Sequence, residues 1–373
     1  MNVGITGQSG FIGSHLYNYL KTKDGINLIP FQRSFFKSKD KLTDFLKRCD
    51  VIVHLAGMNR GSDDEVYDTN IRLAKTVASG LERTNHKLHV IFSSSTHESR
   101  GTSYGKSKHE SRLILSKWAK KNDAKFTGLI IPNVYGPFCK PFYNSVVATF
   151  CHQLTHGQEP SIIVDQPIEL LYVDELVQRI YYVIKNGLDA DELPVQATRE
   201  IMVSELLSKL RHFKEQYLNE KVIPDLSDPF DLSLFNTFRS YIEPDYYPVQ
   251  YDLKTDDRGA LFEIVRSLNQ GQVFFSYTKP GIERGNHYHR RKLERFSIIK
   301  GKALVQLRRI GTEKIVEYTL NGDTPSYVDI PIHHTHNLIN VGEEDLLILF
   351  WASELFNPDD ADTYYEKVDG GPQ

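Results

Sequence analysis

At 373 residues, 40% hydrophobic and 25% charged, the chain has the composition of a soluble globular protein and the length for two domains. Its formal charge of −3 at pH 7 argues against a nucleic-acid or anionic-membrane partner. Three widely spaced cysteines, Cys49, Cys139 and Cys151, argue against a disulfide framework and for a reducing, cytoplasmic setting, and no apolar run approaches the roughly 20 residues that span a bilayer.

In chain order, short apolar runs suited to buried strands fall at 2–6, 51–55, 88–92 and 126–131. The first begins so early that it leaves no room for a signal peptide. Residues 11–21 and 68–83 carry apolar side chains at three- and four-residue spacing, as helices with one buried face do. This alternation predicts βαβ units and a doubly wound, Rossmann-type parallel sheet. More helix is expected at 173–186 and 203–220. Between Ile223 and Tyr251, four prolines (Pro224, Pro229, Pro244, Pro248) among acids and aromatics suggest a lid or linker. Beyond Tyr251 the helical period disappears. Alternating runs at 273–277, 296–299, 303–308, 314–318 and 346–350, separated by turn residues, predict an antiparallel sandwich or barrel. The domains are therefore expected at 1–244 and 245–373.

Thr6-Gly7-Gln8-Ser9-Gly10-Phe11-Ile12-Gly13 follows the first strand and opens the first helix. Glycines there permit a tight turn, close backbone approach to a pyrophosphate and close helix–strand packing, while the helix N-terminus offers unpaired N–H groups to the anion. Gly7, Gly10, Phe11, Ile12 and Gly13 are thus candidate dinucleotide contacts. The end of the second strand, Leu28-Ile29-Pro30-Phe31-Gln32-Arg33-Ser34, lacks the acid that holds the ribose hydroxyls of NAD. Arg33 suits a 2′-phosphate instead, so NADPH is the expected cofactor.

Tyr104 and Lys108 stand four apart, neighbours on one helical face. A lysine ammonium beside a phenol favours phenolate, which lowers the tyrosine toward neutrality and equips it to exchange a proton with a carbonyl oxygen. Five other Tyr-x3-Lys pairs occur, but only Tyr104 closely follows a hydroxyl cluster, Ser93-Ser94-Ser95-Thr96, at the end of a predicted central strand.

Five of the 14 histidines fall between His287 and His336. His287 and His289 alternate on a strand and share a face. With Glu294 from the next strand and His336 from another, they form a candidate divalent-metal site with an open position, zinc being the expected ion. His333 and His334 read equally well as turn residues.

The segments TGxxGxxG, HLAG (His54–Gly57), Asn70, FSSS (Phe92–Ser95), YGKSK (Tyr104–Lys108), PNVYGP (Pro132–Pro137) and Leu171-Tyr172-Val173-Asp174 resemble the extended short-chain dehydrogenase/reductases over roughly residues 1–240. The resemblance implies Tyr104 as acid/base, Lys108 as its partner and ribose contact, and Ser95 as the third catalytic member with Ser94 as the alternative. It also implies Leu55 and Ala56 against the cofactor, and Asn133 and Ser94 near a nucleotide-sugar substrate.

Gly281-x5-His287-x-His289-x4-Glu294-x6-Gly301 resembles the first motif of the cupin barrels, and Pro331 to Asn340 the second, with His333 where a glycine is expected. Asp257-Arg258-Gly259 and Arg284-Gly285-Asn286-His287 are similar to the cupin-class sugar 3,5-epimerases, which usually work without metal and whose base aligns with His287. His287 therefore stands as ligand or base, with ligand favoured because the His-x-His, Glu, His set is complete.

A reductase joined to such a barrel resembles a family of bifunctional bacterial capsular-polysaccharide enzymes. The resemblance implies a UDP-2-acetamido-2,6-dideoxy-4-hexulose substrate. The cupin would epimerise it at C3, and the first domain would reduce it at C4 with NADPH to UDP-2-acetamido-2,6-dideoxy-β-L-talose, on a route to UDP-N-acetyl-L-fucosamine. A homodimer is expected, since this reductase class often dimerises. Two alternatives remain at this level: a single-activity nucleotide-sugar epimerase that recycles NAD beside a structural cupin, and a non-enzymatic metal- or sugar-sensing protein.

Overall fold

Parallel pairing organises the first part of the computed structural model, which describes residues 1–257, 259–268 and 271–370. Its strands are β1 (Asn2–Thr6), β2 (Asn27–Ile29), β3 (Val51–His54), β4 (His89–Ser95), β5 (Phe126–Ile131), β6 (Asn133–Tyr135), β7 (Pro167–Tyr172), β8 (Ala190–Pro194) and β9 (Arg199–Met202). Six of them form an all-parallel sheet in the order β2-β1-β3-β4-β5-β8, and β6-β7-β9 make a smaller sheet. The helices are α1 (Phe11–Lys21), α2 (Lys39–Lys47), α3 (Asp63–Glu82), α4 (Ser103–Lys121), α5 (Val146–Thr155), α6 (Val173–Asn186), α7 (Val203–Phe213) and α8 (Pro229–Arg239).

Alternation along each strand feeds two cores, as a sheet covered on both faces requires. Ile52, Val90 and Phe92 pack with Phe45, Leu46, Val77 and Trp118 on one side. Val3, Ile5, Val53, Ile91 and Leu129 pack with Leu16, Ile180 and Ile184 on the other. Two boundaries differ from the sequence expectation. β4 continues past Phe92 because its ladder with β5 runs on from Ser93–Leu129 to Ser95–Ile131, which puts the serines in the sheet. α3 starts five residues early because Ser62 and Glu65 form a capping box, each side chain bonding the other's backbone N–H.

The chain forms two compact units, one of residues 1–149 and 163–203, the other of 150–162 and 204 onward. Residues 204–244, assigned by sequence to the first domain, thus lie in the second unit. The expected lid or linker is overturned in part: Pro229–Arg239 is helix, with Asp228 capping the Phe230 N–H and Pro229 in the first turn, where its missing N–H costs nothing. Phe230, Leu234, Phe235 and Phe238 are all buried. The expected helix at 203–220 changes after Phe213 into a π-helical stretch, Lys214–Asn219.

The second unit carries short strands β10 (Val222–Ile223), β11 (Val249–Gln250), β12 (Lys254–Asp256), β13 (Gly259–Leu261) and β14 (Arg266–Ser267). Its larger strands are β15 (Gln272–Thr278), β16 (Glu283–Tyr288), β17 (Glu294–Lys300), β18 (Lys302–Arg309), β19 (Ile315–Asn321), β20 (Ser326–Ile330), β21 (His334–Asn340) and β22 (Leu346–Ala352), followed by β23 (Tyr364–Tyr365). Two five-stranded antiparallel sheets result, β11-β20-β17-β22-β15 and β19-β18-β21-β16-β23. Phe296, Ile298, Val305, Leu307, Val328, Leu338 and Ile348 from both sheets share one core.

Candidate functional site

The parallel sheet brings the C-terminal ends of β1, β3 and β4 to one edge, and each end carries site residues. After β1, Gly7 has φ +76, and a Cβ on it would lie 2.9 Å from the Ala56 backbone nitrogen. A Cβ on Gly13 would meet the Gly7 carbonyl oxygen at 2.1 Å. Both positions therefore exclude a side chain. Gly10 caps α1 without a side-chain acceptor, which leaves the first helical N–H groups open beside Phe11 and Ile12. The Thr6 hydroxyl and His54 Nδ1 lie 2.6 Å apart, and the Ala56 N–H donates to Thr6 Oγ1 at 3.4 Å, which fixes Leu55 and Ala56 against the glycine turn. These are the features of a dinucleotide cradle. Arg33 opens the short helix after β2, exposed and without an ion pair among the described residues.

Ser95 Oγ accepts from the His97 N–H at 3.2 Å and lies close enough to the buried Tyr104 phenol to act on it. Ser94 Oγ instead donates to Glu98. The geometry thus brings Ser95, not Ser94, to Tyr104. Asn70 Nδ2 donates to Ser107 Oγ at 2.9 Å, and Ser107 to the Tyr104 carbonyl at 2.7 Å, which anchors the first turn of α4. The Lys108 ammonium lies 4.6 Å from the Phe92 ring centre, and its complete burial lowers it to about 8. Burial also drives His54 to about 3, so that ring is neutral. One electrostatic expectation is reversed: Tyr104 lies above its ordinary value, because burial of the phenol outweighs the opposing effect of Ser95. Asn133 is exposed, its amide donating to the Glu169 carbonyl at 3.2 Å.

In the second unit, His287 on β16 stands directly opposite His336 on β21. Their rings are 4.5 Å apart, and His289 is within 5.4 Å of His336. His289 Nε2 is 2.9 Å from a Glu294 carboxylate oxygen, and His336 Nε2 is 3.6 Å from the same oxygen. All four candidate ligand atoms fall within 4.8 Å of one another, a grouping of nitrogen and oxygen donors that could hold one metal ion. His289 Nδ1 is held by the Asp362 carbonyl at 2.6 Å, so its Nε2 is left facing the cluster. The Nε2 atom of His336 is buried without a hydrogen-bond partner, a donor whose chemistry fits a metal ion. Burial works against the Glu294 charge, but His289, His336 and Lys292 outweigh it and hold the carboxyl at about 2. Burial keeps His336 and His287 below the ordinary histidine value, in the neutral form that ligates.

His333, in place of the expected glycine, has φ +56, which explains why that position favours glycine. Arg258 lies outside the described residues. Sequence reasoning missed Lys292, whose ammonium is 3.7 Å from Glu294 and which lines a cavity of about 250 Å³ with Phe274, Glu294, Leu355 and Phe356. It also missed Glu98 and Arg112, whose roles depend on contacts across elements. Among the described residues, no helix is long and apolar enough to cross a membrane.

Residues 3–193 match the NAD dependent epimerase/dehydratase family, and residues 254–364 match the polysaccharide biosynthesis C-terminal domain. The chain is 30% identical over 382 residues to the UDP-2-acetamido-2,6-beta-L-arabino-hexul-4-ose reductase of Pseudomonas aeruginosa, covering 100% of both. Among solved structures it is similar to the capsular polysaccharide assembling protein CapF from Staphylococcus aureus, with 31% identity, TM-score 0.63 and coverage of 99% of this chain and 100% of that one. A UDP-glucose 4-epimerase from Thermotoga maritima shares the fold at 22% identity and TM-score 0.51, covering 57% of this chain and 82% of its own.

Proposed function

The chain belongs to the NAD dependent epimerase/dehydratase family, and from that premise we propose that it is a bifunctional nucleotide-sugar enzyme of capsular polysaccharide synthesis. In this reading, residues 245–373 form a cupin that inverts C3 of a UDP-2-acetamido-2,6-dideoxy-4-hexulose. Residues 1–244 then reduce the C4 ketone to give UDP-2-acetamido-2,6-dideoxy-β-L-talose, on the way to UDP-N-acetyl-L-fucosamine. The observation that carries the reductase half is the placing of Ser95 beside buried Tyr104, with buried Lys108 one turn on along α4, at the sheet edge where the glycine turn opens.

NADPH, when bound, supplies the hydride. The glycine turn and the open N-terminus of α1 would hold its pyrophosphate, Leu55 and Ala56 would line the cradle, and exposed Arg33 would pair with the 2′-phosphate. Ser95 would hydrogen-bond the sugar carbonyl and Tyr104 would donate the proton to that oxygen. A phenol held protonated by burial suits this reductive direction. Lys108 would steady the phenolate left behind and contact the cofactor ribose.

Epimerisation before reduction follows from the chemistry: the C4 carbonyl acidifies the C3 hydrogen, and reduction removes that activation. His287, His289, Glu294 and His336 would hold a divalent cation, with zinc favoured by the imidazole-rich set; when bound, it supplies Lewis-acid polarisation or rigidity. The intermediate burial of His287, against the full burial of His289 and His336, keeps it available as the alternative C3 base.

The test is incubation of the 4-keto sugar with NADPH in D2O. Tyr104→Phe abolishes NADPH oxidation while deuterium still enters C3. NADPH oxidation at the wild-type rate in Tyr104→Phe would overturn the assignment. Tightly held NAD without net turnover would favour the single-activity epimerase.

A further inference from the structure

Nine positions take the chain from Ser95 to Tyr104, and the turn between them, Thr96–Ser99, is fastened at its centre by one carboxylate. Glu98 accepts from Ser94 Oγ at the end of β4. It also accepts from two nitrogens of Arg112 on α4, at 2.9 and 2.7 Å, and lies 3.0 Å from His109 Nδ1 one turn earlier. Arg112 is 3% exposed and reaches on to the Asp191 carbonyl and the Glu192 carboxylate on β8. Its stem lies over Gly128, where a Cβ would come within 2.6 Å. The turn is pressed against α4 as well, since a Cβ on Gly105 would strike the His97 carbonyl oxygen at 2.1 Å.

We infer that Glu98 is a positioning residue for the Tyr104–Lys108 pair, tying the turn that carries Ser95 to the helix that carries both. This rests on the reductase reading above. Around Lys108, β3 contributes neutral His54, and β4 the uncharged ring of Phe92. On its own helix Tyr104 and Arg112 stand one turn to either side, and the turn contributes Glu98. Burial alone pulls Lys108 toward its neutral form, and Glu98 is the charge that resists. The bonds from Arg112, Ser94 and His109 overcome the burial of Glu98 and keep it ionised.

Glu98→Gln and Glu98→Asp in the full chain test this against wild type. Titration of 13Cε-labelled lysine by NMR, with Lys108→Arg for assignment, needs no substrate. Lys108 titrates lower in Glu98→Gln than in wild type by about half a pH unit or more, and Glu98→Asp, which keeps the charge but loses the span from Ser94 to Arg112, recovers only part of the difference. With the sugar substrate, Glu98→Gln loses about tenfold or more in kcat, and the alkaline limb of kcat/KM moves to lower pH. NADPH affinity by fluorescence titration stays within about twofold. The same Lys108 midpoint in Glu98→Gln and wild type overturns the inference. If Glu98→Gln does not fold, wild-type kcat in Glu98→Asp overturns it, because the shortened carboxylate cannot span Ser94 and Arg112 together. A wild-type protein that oxidises no NADPH with this sugar defeats the functional reading, while the lysine titration still decides the role of Glu98.

Discussion

Two adjacent serines end β4, and their hydroxyls face different partners. Ser95 meets Tyr104 and Ser94 meets Glu98, so removal of each hydroxyl has a distinct outcome. Ser95→Ala lowers kcat roughly 10²-fold with little change in NADPH affinity, as expected when a group acts on the reacting oxygen. Ser94→Ala costs less, and steady-state rates for the two variants check the order. Burial also governs His89, whose Nε2 lies 2.8 Å from the Thr127 hydroxyl. Desolvation lowers this imidazole from 6.5 to about 4, so the folded state favours its neutral form. Stability is therefore greatest above 6.5 and falls as pH drops toward 4, by up to about 3 kcal/mol from this group. Urea unfolding across that window shows the decline, and His89→Gln flattens it.

Among the elements, α8 departs furthest from its local signal. The prolines and acids of the surrounding 223–251 stretch suggest an exposed connection, yet Phe235 and Phe238 are 0% exposed, with the Phe213 and Phe235 rings 5.3 Å apart edge to face. Tyr217, from the preceding π-helical stretch, donates to the Asp329 carboxylate at 2.5 Å, and Arg295 pairs with the same group at 2.7 Å. The segment is thus part of the second unit's interior. Phe235→Ala costs about 3–5 kcal/mol in chemical denaturation, whereas truncating a residue of an exposed linker would cost almost nothing. Pro229 marks a helix start here, and its meaning depends on whether Phe230, Leu234 and Phe238 find a surface to cover.

For the whole molecule, the proposed metal would be linked to stability, because the four candidate ligands come from β16, the turn after it, β17 and β21 and so join the two antiparallel sheets. Chelation lowers the thermal midpoint and added Zn2+ restores it, while His336→Ala removes the bound metal measured by elemental analysis and the response to chelator. Much of this architecture was legible in the chain. Period-two and period-3.6 patterning specified a parallel α/β part and an antiparallel part, because burial of one face imposes those repeats whatever the final packing. The glycine turn, Tyr104 with Lys108, and the His-x-His pair with Glu294 were legible for a related reason: each depends on residues close in sequence or on a conformation open chiefly to glycine. What the tertiary structure alone decided depends chiefly on groups far apart in the chain. The engagement of Ser94 by Glu98, the Arg112 contacts that reach β8, the raised Tyr104 and the burial of α8 all follow from which surfaces meet and exclude water, and no local pattern of residues encodes that.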